Sequence, residues 1–262
     1  MSALRVLQHN CNRSGEALVA VLETGIEEKA DLVFLQEPPY EFNRHTGFQI
    51  FKEKKVWTAV RIDTKWKAEV NRHPEDTDGY TQVVDLTRKG HETVRVVNIY
   101  DQVNRETNRY VAHRGDFTRW SADNLIIAGD FNAHGFYWND QLETEVRAGW
   151  LYTVIEGLDL VYTGDRVATR HGTNASNHSV IDLVFASVSM AARMSAFTMT
   201  DPASATGSDH RVLRWDIYGT RNGAESGEQG VRGWSIKEMC TPLTKEEKEE
   251  GLESGKEKAE KE

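Results

Sequence analysis

Asn124–Trp138 reads NLIIAGDFNAHGFYW. Its first part, Leu125 to Ala128, is a short apolar run with β-branched side chains, and Gly129 interrupts it just before Asp130, Phe131 and Asn132. Such a run bounded by glycine reads as a buried strand. It predicts a carboxylate and a carboxamide at the strand exit. Side chains two apart on a strand share a face, so Asp130 and Asn132 are expected in one pocket, with Phe131 turned to the core. A carboxylate holds a cation or takes a proton from water, and a neutral amide donates to a phosphoryl oxygen without competing for metal. The fragment alone reads equally well as a strand ending in an Asp/Asn turn.

The same pattern recurs on both sides of this stretch. Leu4–Asn12, LRVLQHNCN, is extended, with Asn10 and Asn12 on one face and Cys11 on the other. Ser14 caps a helix expected to run to about Ala30, in which Leu18, Val21, Leu22 and Ile26 recur at helical spacing. Asp31–Glu37 reads as a buried strand halted by Pro38 and Pro39, which leaves Glu37 at a strand exit as Asp130 is. Strand-like runs follow at Trp57–Ile62, Tyr80–Leu86 and Thr93–Tyr100. In the last of these Asn98 and Tyr100 share a face, and the Tyr100 hydroxyl at the exit is able to donate to a phosphate oxygen. Arg105 and Arg109 come next, on a loop or first helical turn where guanidinium groups hold phosphates or simply face solvent. Helices are expected over about Glu106–Trp120 and Glu143–Glu156.

The last third adds two carboxylates. Ser179–Ser187, SVIDLVFAS, is an apolar strand with Asp182 in its middle, a costly place for a charge unless it is paired. A histidine is a suitable partner, and GSDHRVLRW at Gly207–Trp215 supplies Asp209 and His210. Tyr162–Val180 is polar and modestly basic through Arg166, Arg170 and His171, and reads as a surface hairpin or long loop.

Composition limits the function classes. The 262 residues are 39% hydrophobic, enough for one large core, and no apolar run approaches the roughly 20 residues that span a bilayer. No signal-peptide core follows Met1, so the expectation is a soluble intracellular protein with Cys11 and Cys240 reduced. The sequons at Asn12, Asn174 and Asn177 would matter only in a secreted protein. A net charge of -9 makes a poor general binder of nucleic acid, so any DNA contact must rest on local basic residues and bound cations. Thr244–Glu262 carries eight glutamates against five lysines, a net of -3, leaving -6 on the preceding residues. The domain organisation expected is a folded unit over residues 1–218, a Gly-rich linker over 219–243 and a charged, solvated tail over 244–262.

Taken in order, Asn10, Gln36-Glu37, Asn98-Ile99-Tyr100, Gly129-Asp130-Phe131-Asn132, Ile181-Asp182-Leu183 and Ser208-Asp209-His210 make six matches. The set resembles the endonuclease/exonuclease/phosphatase superfamily over about residues 4–217. GDFNAH with its aromatic-rich loop, and IDLVFAS before SDH, look most like the endonuclease domain of non-LTR retrotransposons. Two features depart from that pattern: Tyr100-Asp101-Gln102 lacks a proline, and Arg211-Val212 follows SDH in place of a small or apolar residue and a proline. Both bear on loop shape rather than on chemistry.

The resemblance implies an α+β fold, a four-layer α/β/β/α sandwich with two packed sheets flanked by helices and an active site where strand ends converge. It implies Glu37 as a direct Mg2+ ligand, with Mn2+ a possible substitute, and Asn10, Asn12 and Asp209 at the metal end. Asp130 would orient or deprotonate the attacking water, Asn132 would position it, His210 held by Asp182 would neutralise the scissile phosphate, and Tyr100 would donate to it. Arg105, Arg109, Arg166 and Arg170 are the candidate substrate contacts, and His134 is read as a loop or substrate-edge residue. The activity implied is metal-dependent nicking of double-stranded DNA to leave a 3'-hydroxyl. The chain has no room for a reverse transcriptase after residue 217, so it reads as a domain of a longer parent, a truncated copy or a stand-alone descendant. Abasic-site or lipid phosphoesterase activity on the same fold, and an inactive nucleic-acid-binding relic, are the alternatives. A chromosomal target implies nuclear residence.

Overall fold

The computed structural model describes residues 3–71, 79–104, 109–110, 117–139, 148–172, 178–201, 207–219 and 234–235. The first sheet begins with β1 (Leu4–Asn10), which runs parallel to β2 (Leu32–Gln36) through the crossover helix α1 (Gly15–Glu27). Ser14 caps α1, its Oγ accepting from the Ala17 N–H at 3.1 Å, and the apolar stripe of Leu18, Val21 and Leu22 packs on the outer face of this sheet against Leu7, Val33, Leu35 and Trp57. β3 (Phe48–Lys52) and β4 (Val56–Arg61) extend the sheet on one side.

The second sheet is built from β5 (Lys67–Val70), β6 (Thr81–Thr87), β7 (Val94–Tyr100) and β10 (Leu125–Asp130). After α2 (Gly149–Gly157) come β11 (Leu160–Tyr162), β12 (Asp182–Ser187), α3 (Val188–Ala191) and β13 (Thr198–Thr200). β14 (Val212–Ile217) returns to the first sheet, and β15 (Trp234–Ser235) adds to the second. The strand orders are β13-β14-β1-β2-β4-β3 and β15-β11-β12-β10-β7-β6-β5.

The two sheets pack face to face over Leu4, Val6, Leu32, Phe34, Val84, Val96, Ile126, Ala128 and Val184. On the far side of the second sheet Leu151, Val154 and Ile155 of α2 cover Val97, Ile127, Leu183 and Phe185. This is the four-layer α+β sandwich, with thin outer layers. Each fully buried aliphatic side chain contributes about 1.5–3 kcal/mol of transfer free energy, so the inter-sheet layer is the main source of cohesion. Gly129 is required where it stands, because a Cβ there would lie 1.8 Å from the Ile99 carbonyl oxygen of β7.

Several elements differ from the sequence reading. Where a helix was expected over Glu106–Trp120, β8 (Val103–Asn104) pairs with β9 (Arg109–Tyr110), and Phe117–Trp120 forms one 3-10 turn. The rest of that expected helix, 106–108 and 111–116, lies outside the described residues. The second helix begins, within the described residues, near Gly149. Asp182 opens its strand rather than sitting in mid-strand. β3, β5 and β13 are short and of mixed polarity, and β11 is a three-residue apolar run, so none carries enough of a pattern to read as a strand. Trp234–Ser235, within the stretch read as a linker, pairs with β11. No helix among the described residues is long and apolar enough to cross a membrane.

Candidate active site

Register places the central acids. In the second sheet Asp130 ends β10, paired on one side with Tyr100 of β7 and on the other with Asp182 of β12. Three functional side chains therefore stand abreast on adjacent strands. In the facing sheet Asn10 ends β1 opposite Gln36 of β2. The Asn10 Nδ2–H donates to Asp130 Oδ2 at 2.8 Å, a buried hydrogen bond that joins the two sheets.

His210 completes the line. Its Nδ1 lies 2.8 Å from Asp182 Oδ2, and its Nε2 lies 3.9 Å from Asp130 Oδ2. The histidine is fixed by local geometry, for Ser208 Oγ accepts from the His210 N–H at 3.2 Å and donates to the Asn10 carbonyl at 2.7 Å. Asp182 is fixed by Thr169, whose Oγ1 accepts from the N–H groups of Ile181 and Asp182 at 3.1 and 3.0 Å.

Charge states follow from these neighbours. Burial opposes the imidazolium of His210, but the Asp182 charge and hydrogen bond, helped by Asp130 and Asp209, outweigh it and raise His210 to about 9. Burial first and the Asp182 charge second raise Asp130 well above the usual carboxylate range, and His210, the Asn132 N–H and Asn10 only partly offset this. The Tyr100 phenol is raised by burial, then by Glu37 and Asp130, so it is a hydrogen-bond donor at neutral pH.

Glu37, Asn12 and Asn132 each lie just past a strand end with positive φ, at 41°, 46° and 45°. Left-handed backbone at non-glycine residues is strained, and three cases follow strand ends of the two facing sheets. This overturns the expectation that alternation carries past Asn10 and Asp130. Asn12 is exposed and its amide donates to the Gly207 carbonyl, while its N–H donates to Asn10 Oδ1 at 2.8 Å. Asn132 likewise turns its amide to the Asp101 carbonyl at 3.1 Å and touches Asp130 through its main chain, N–H to Oδ1 at 3.0 Å. Phe131 does turn into the core, edge-on to Phe185.

Glu37 Oε1 accepts from Arg13 Nη2 at 3.1 Å. Asp209 Oδ2 accepts from Arg170 Nε at 2.8 Å, and its Oδ1 lies 3.7 Å from His210 Nε2. Arg170, read as a phosphate contact, is thus committed to Asp209, and it also bridges Ser179 and His210 through its backbone. Arg166 is exposed on the same loop, Arg109 lies in β9, and Arg105 falls outside the described residues. Arg13 and Thr169 were missed by the sequence reading. Thr169 acts through pairing with a segment about a dozen residues away and leaves no local signal; Arg13 sits one residue after Asn12 and had a positional hint.

Asp130, Asp182 and His210 each offer a ligand atom within 4.8 Å of the others, a group able to hold a metal ion. Asp182 Oδ1 is buried without a hydrogen-bond partner, which fits that capacity. The short His210–Asp182 contact is equally a charge-assisted hydrogen bond, and Mg2+ prefers oxygen donors to imidazole. The oxygen donors expected at the metal end are otherwise engaged here: Glu37 accepts from Arg13, Asn10 Oδ1 from the Asn12 N–H, and Asp209 from Arg170.

Residues 94–214 match the family model described as endonuclease-reverse transcriptase. No curated protein matches the sequence. Among solved structures, the chain is similar to the endonuclease domain of TRAS1, a telomere-specific non-LTR retrotransposon, with 21% identity and a TM-score of 0.68 over 82% of this chain and 98% of that one. It is similar to the AP endonuclease LMAP from Leishmania major, with 14% identity and a TM-score of 0.62 over 82% and 88% of the two chains. The 3'-5' exonuclease NExo from Neisseria meningitidis gives 18% identity and a TM-score of 0.58 over 81% and 99%.

Proposed function

We propose that this chain is a member of the endonuclease/exonuclease/phosphatase superfamily and a Mg2+-dependent DNA endonuclease that nicks one strand and leaves a 3'-hydroxyl, a reading supported by the family-model match over residues 94–214 and by the shared fold. The observation that carries the reading is the buried line Asn10–Asp130–His210–Asp182, which puts a base and a cation side by side at the open edge of both sheets.

Each group has a task in phosphodiester hydrolysis. Asp130, raised by burial and by Asp182, is a stronger base than an exposed aspartate and takes a proton from water. The Asn10 amide and the Asn132 N–H hold its two oxygens in place, so the base is preorganised. His210 is cationic at neutral pH and neutralises a non-bridging phosphoryl oxygen, while Tyr100 donates to the phosphate as charge builds. A divalent ion held by Glu37, Asn10 and Asp209 would supply stabilisation of the leaving oxyanion. Arg170 keeps Asp209 oriented, and Arg166, exposed on the same loop, is the proposed contact to a phosphate of the duplex. The likeness to a non-LTR retrotransposon endonuclease favours duplex DNA over an abasic site or a small phosphoester.

Supercoiled plasmid incubated with Mg2+ should become nicked circles whose 3' ends a polymerase extends directly, and a chelator should abolish the conversion. Folded protein that leaves the plasmid closed, or leaves 3' ends blocked to extension, overturns the proposal.

A further inference from the structure

Arg211 stands directly after Ser208-Asp209-His210, at one of the two places where the sequence departs from the pattern it resembles. Its donors reach two other segments. The Arg211 N–H donates to the Thr169 carbonyl at 2.7 Å, and Nη1–H donates to the Ala168 carbonyl at 2.9 Å. Nε–H donates to Asp201 Oδ1 at 2.7 Å, an oxygen that His171 Nε2 also meets at 2.9 Å. The Arg211 side chain is 21% exposed, whereas that of Asp201 is 69% exposed. An ion pair to a carboxylate so open to water adds little stability, so the use of this guanidinium lies in the geometry it fixes.

What it fixes is the segment 168–171. Residues 163–169 belong to no helix or strand, and Arg211 holds the last two carbonyls of that stretch. The groups that set the site sit on the same segment. Thr169 Oγ1 accepts from the Ile181 and Asp182 N–H groups, Arg170 Nε–H donates to Asp209 Oδ2, and the His171 N–H donates to the Asp209 carbonyl at 2.8 Å. Asp182 and Asp209 in turn face His210, at 2.8 Å from Nδ1 and 3.7 Å from Nε2. A small shift of 168–171 is thus passed to two of the carboxylates around His210, and misplacement of a reacting group by about 1 Å can cost about a hundredfold in rate.

We propose that Arg211 is a positioning residue: through Ala168, Thr169 and Asp201 it locks the segment 168–171 where that segment holds Asp182 and Asp209 against His210. It acts through those carboxylates rather than on the reacting phosphate. The inference rests on the endonuclease reading above and adds to it a residue outside the line of reacting groups.

The test compares the full chain with Arg211→Met, which keeps the apolar stem, with Arg211→Lys and with Asp201→Ala. Steady-state plasmid nicking is measured beside amide hydrogen exchange in metal-free buffer. Arg211→Met should lower kcat about tenfold or more with KM within about twofold, and Asp201→Ala should lower kcat about threefold, since the Ala168 contact remains. Arg211→Lys meets with one nitrogen the acceptors that the fork meets with two, so it should recover only part of the loss. Amides of Ile181 and Asp182 should exchange about tenfold faster in Arg211→Met, while those of α1 and β2 keep the wild-type rate. Where Arg211→Met is not recovered folded, Asp201→Ala at its exposed carboxylate decides. Wild-type kcat or wild-type exchange in these variants overturns the proposal. So does a raised KM at unchanged kcat, which would make Arg211 a substrate contact, and so does faster exchange throughout the chain, which would make it a general stability residue. A folded wild type that nicks nothing overturns the endonuclease reading instead, and the exchange rates then decide the positioning by themselves.

Discussion

Asp182→Asn separates the electrostatic role of the buried pair from its structural role. In the wild type His210 is held at about 9 against an ordinary 6.5, a difference worth about 3 kcal/mol at 1.36 kcal/mol per pH unit. The asparagine keeps the shape of Asp182 and removes its charge. Burial, the largest single influence, then works with less opposition, and His210 falls toward the ordinary value. If the imidazolium is the active form, its population at pH 7.5 drops from nearly complete to about one tenth, and at pH 8.5 the deficit approaches a hundredfold. At pH 6 both proteins hold imidazolium, and Asp130, relieved of the same repulsion, stays basic to lower pH, so the rates converge. The assay is the initial rate of plasmid nicking from pH 6 to 9 for both proteins. A deficit that widens with pH supports the account. A constant deficit at every pH would refute it and leave Asp182 as an orienting group only.

Asp130→Asn should stabilise the protein while removing activity. The folded carboxyl titrates above its unfolded value, so the fold carries a penalty that appears as pH rises through the raised range. The gain in Tm, at about 2–4 °C per kcal/mol, should be present at pH 8 and absent at pH 3, as read by calorimetry. His210 has the opposite sign: its pairing stabilises fully below pH 6.5 and is lost as pH rises through about 9. Thr169→Val leaves two buried N–H groups without their acceptor and should cost about 2 kcal/mol in urea unfolding, with nicking reduced because Asp182 loses its anchor. Gly129→Ala drives a Cβ against the Ile99 backbone and should cost about 4 kcal/mol or more, read as loss of soluble folded protein.

The site was legible in the sequence wherever strand exits and residue chemistry coincide. Asp182 was read as needing a partner because a charge in an apolar strand is costly, and the structure sets its carboxylate 2.8 Å from His210. What alternation could not carry was the left-handed step after Asn10, Gln36 and Asp130, which swings Asn12 and Asn132 out of the shared face. A strand period says nothing of the residue after the strand stops. Thr169 and Arg170 depend on pairing with Ser179 and with Asp209 to Arg211, a tertiary arrangement with no sequence period.

Single-turnover cleavage of an end-labelled duplex by wild type, Asp130→Ala and His210→Ala, each shown folded by circular dichroism, tests the central claim most directly. The account predicts Mg2+-dependent cleavage by the wild type and losses of about a hundredfold or more in each variant. Near-wild-type cleavage by either variant would contradict it and move the chemistry away from the seam between the sheets.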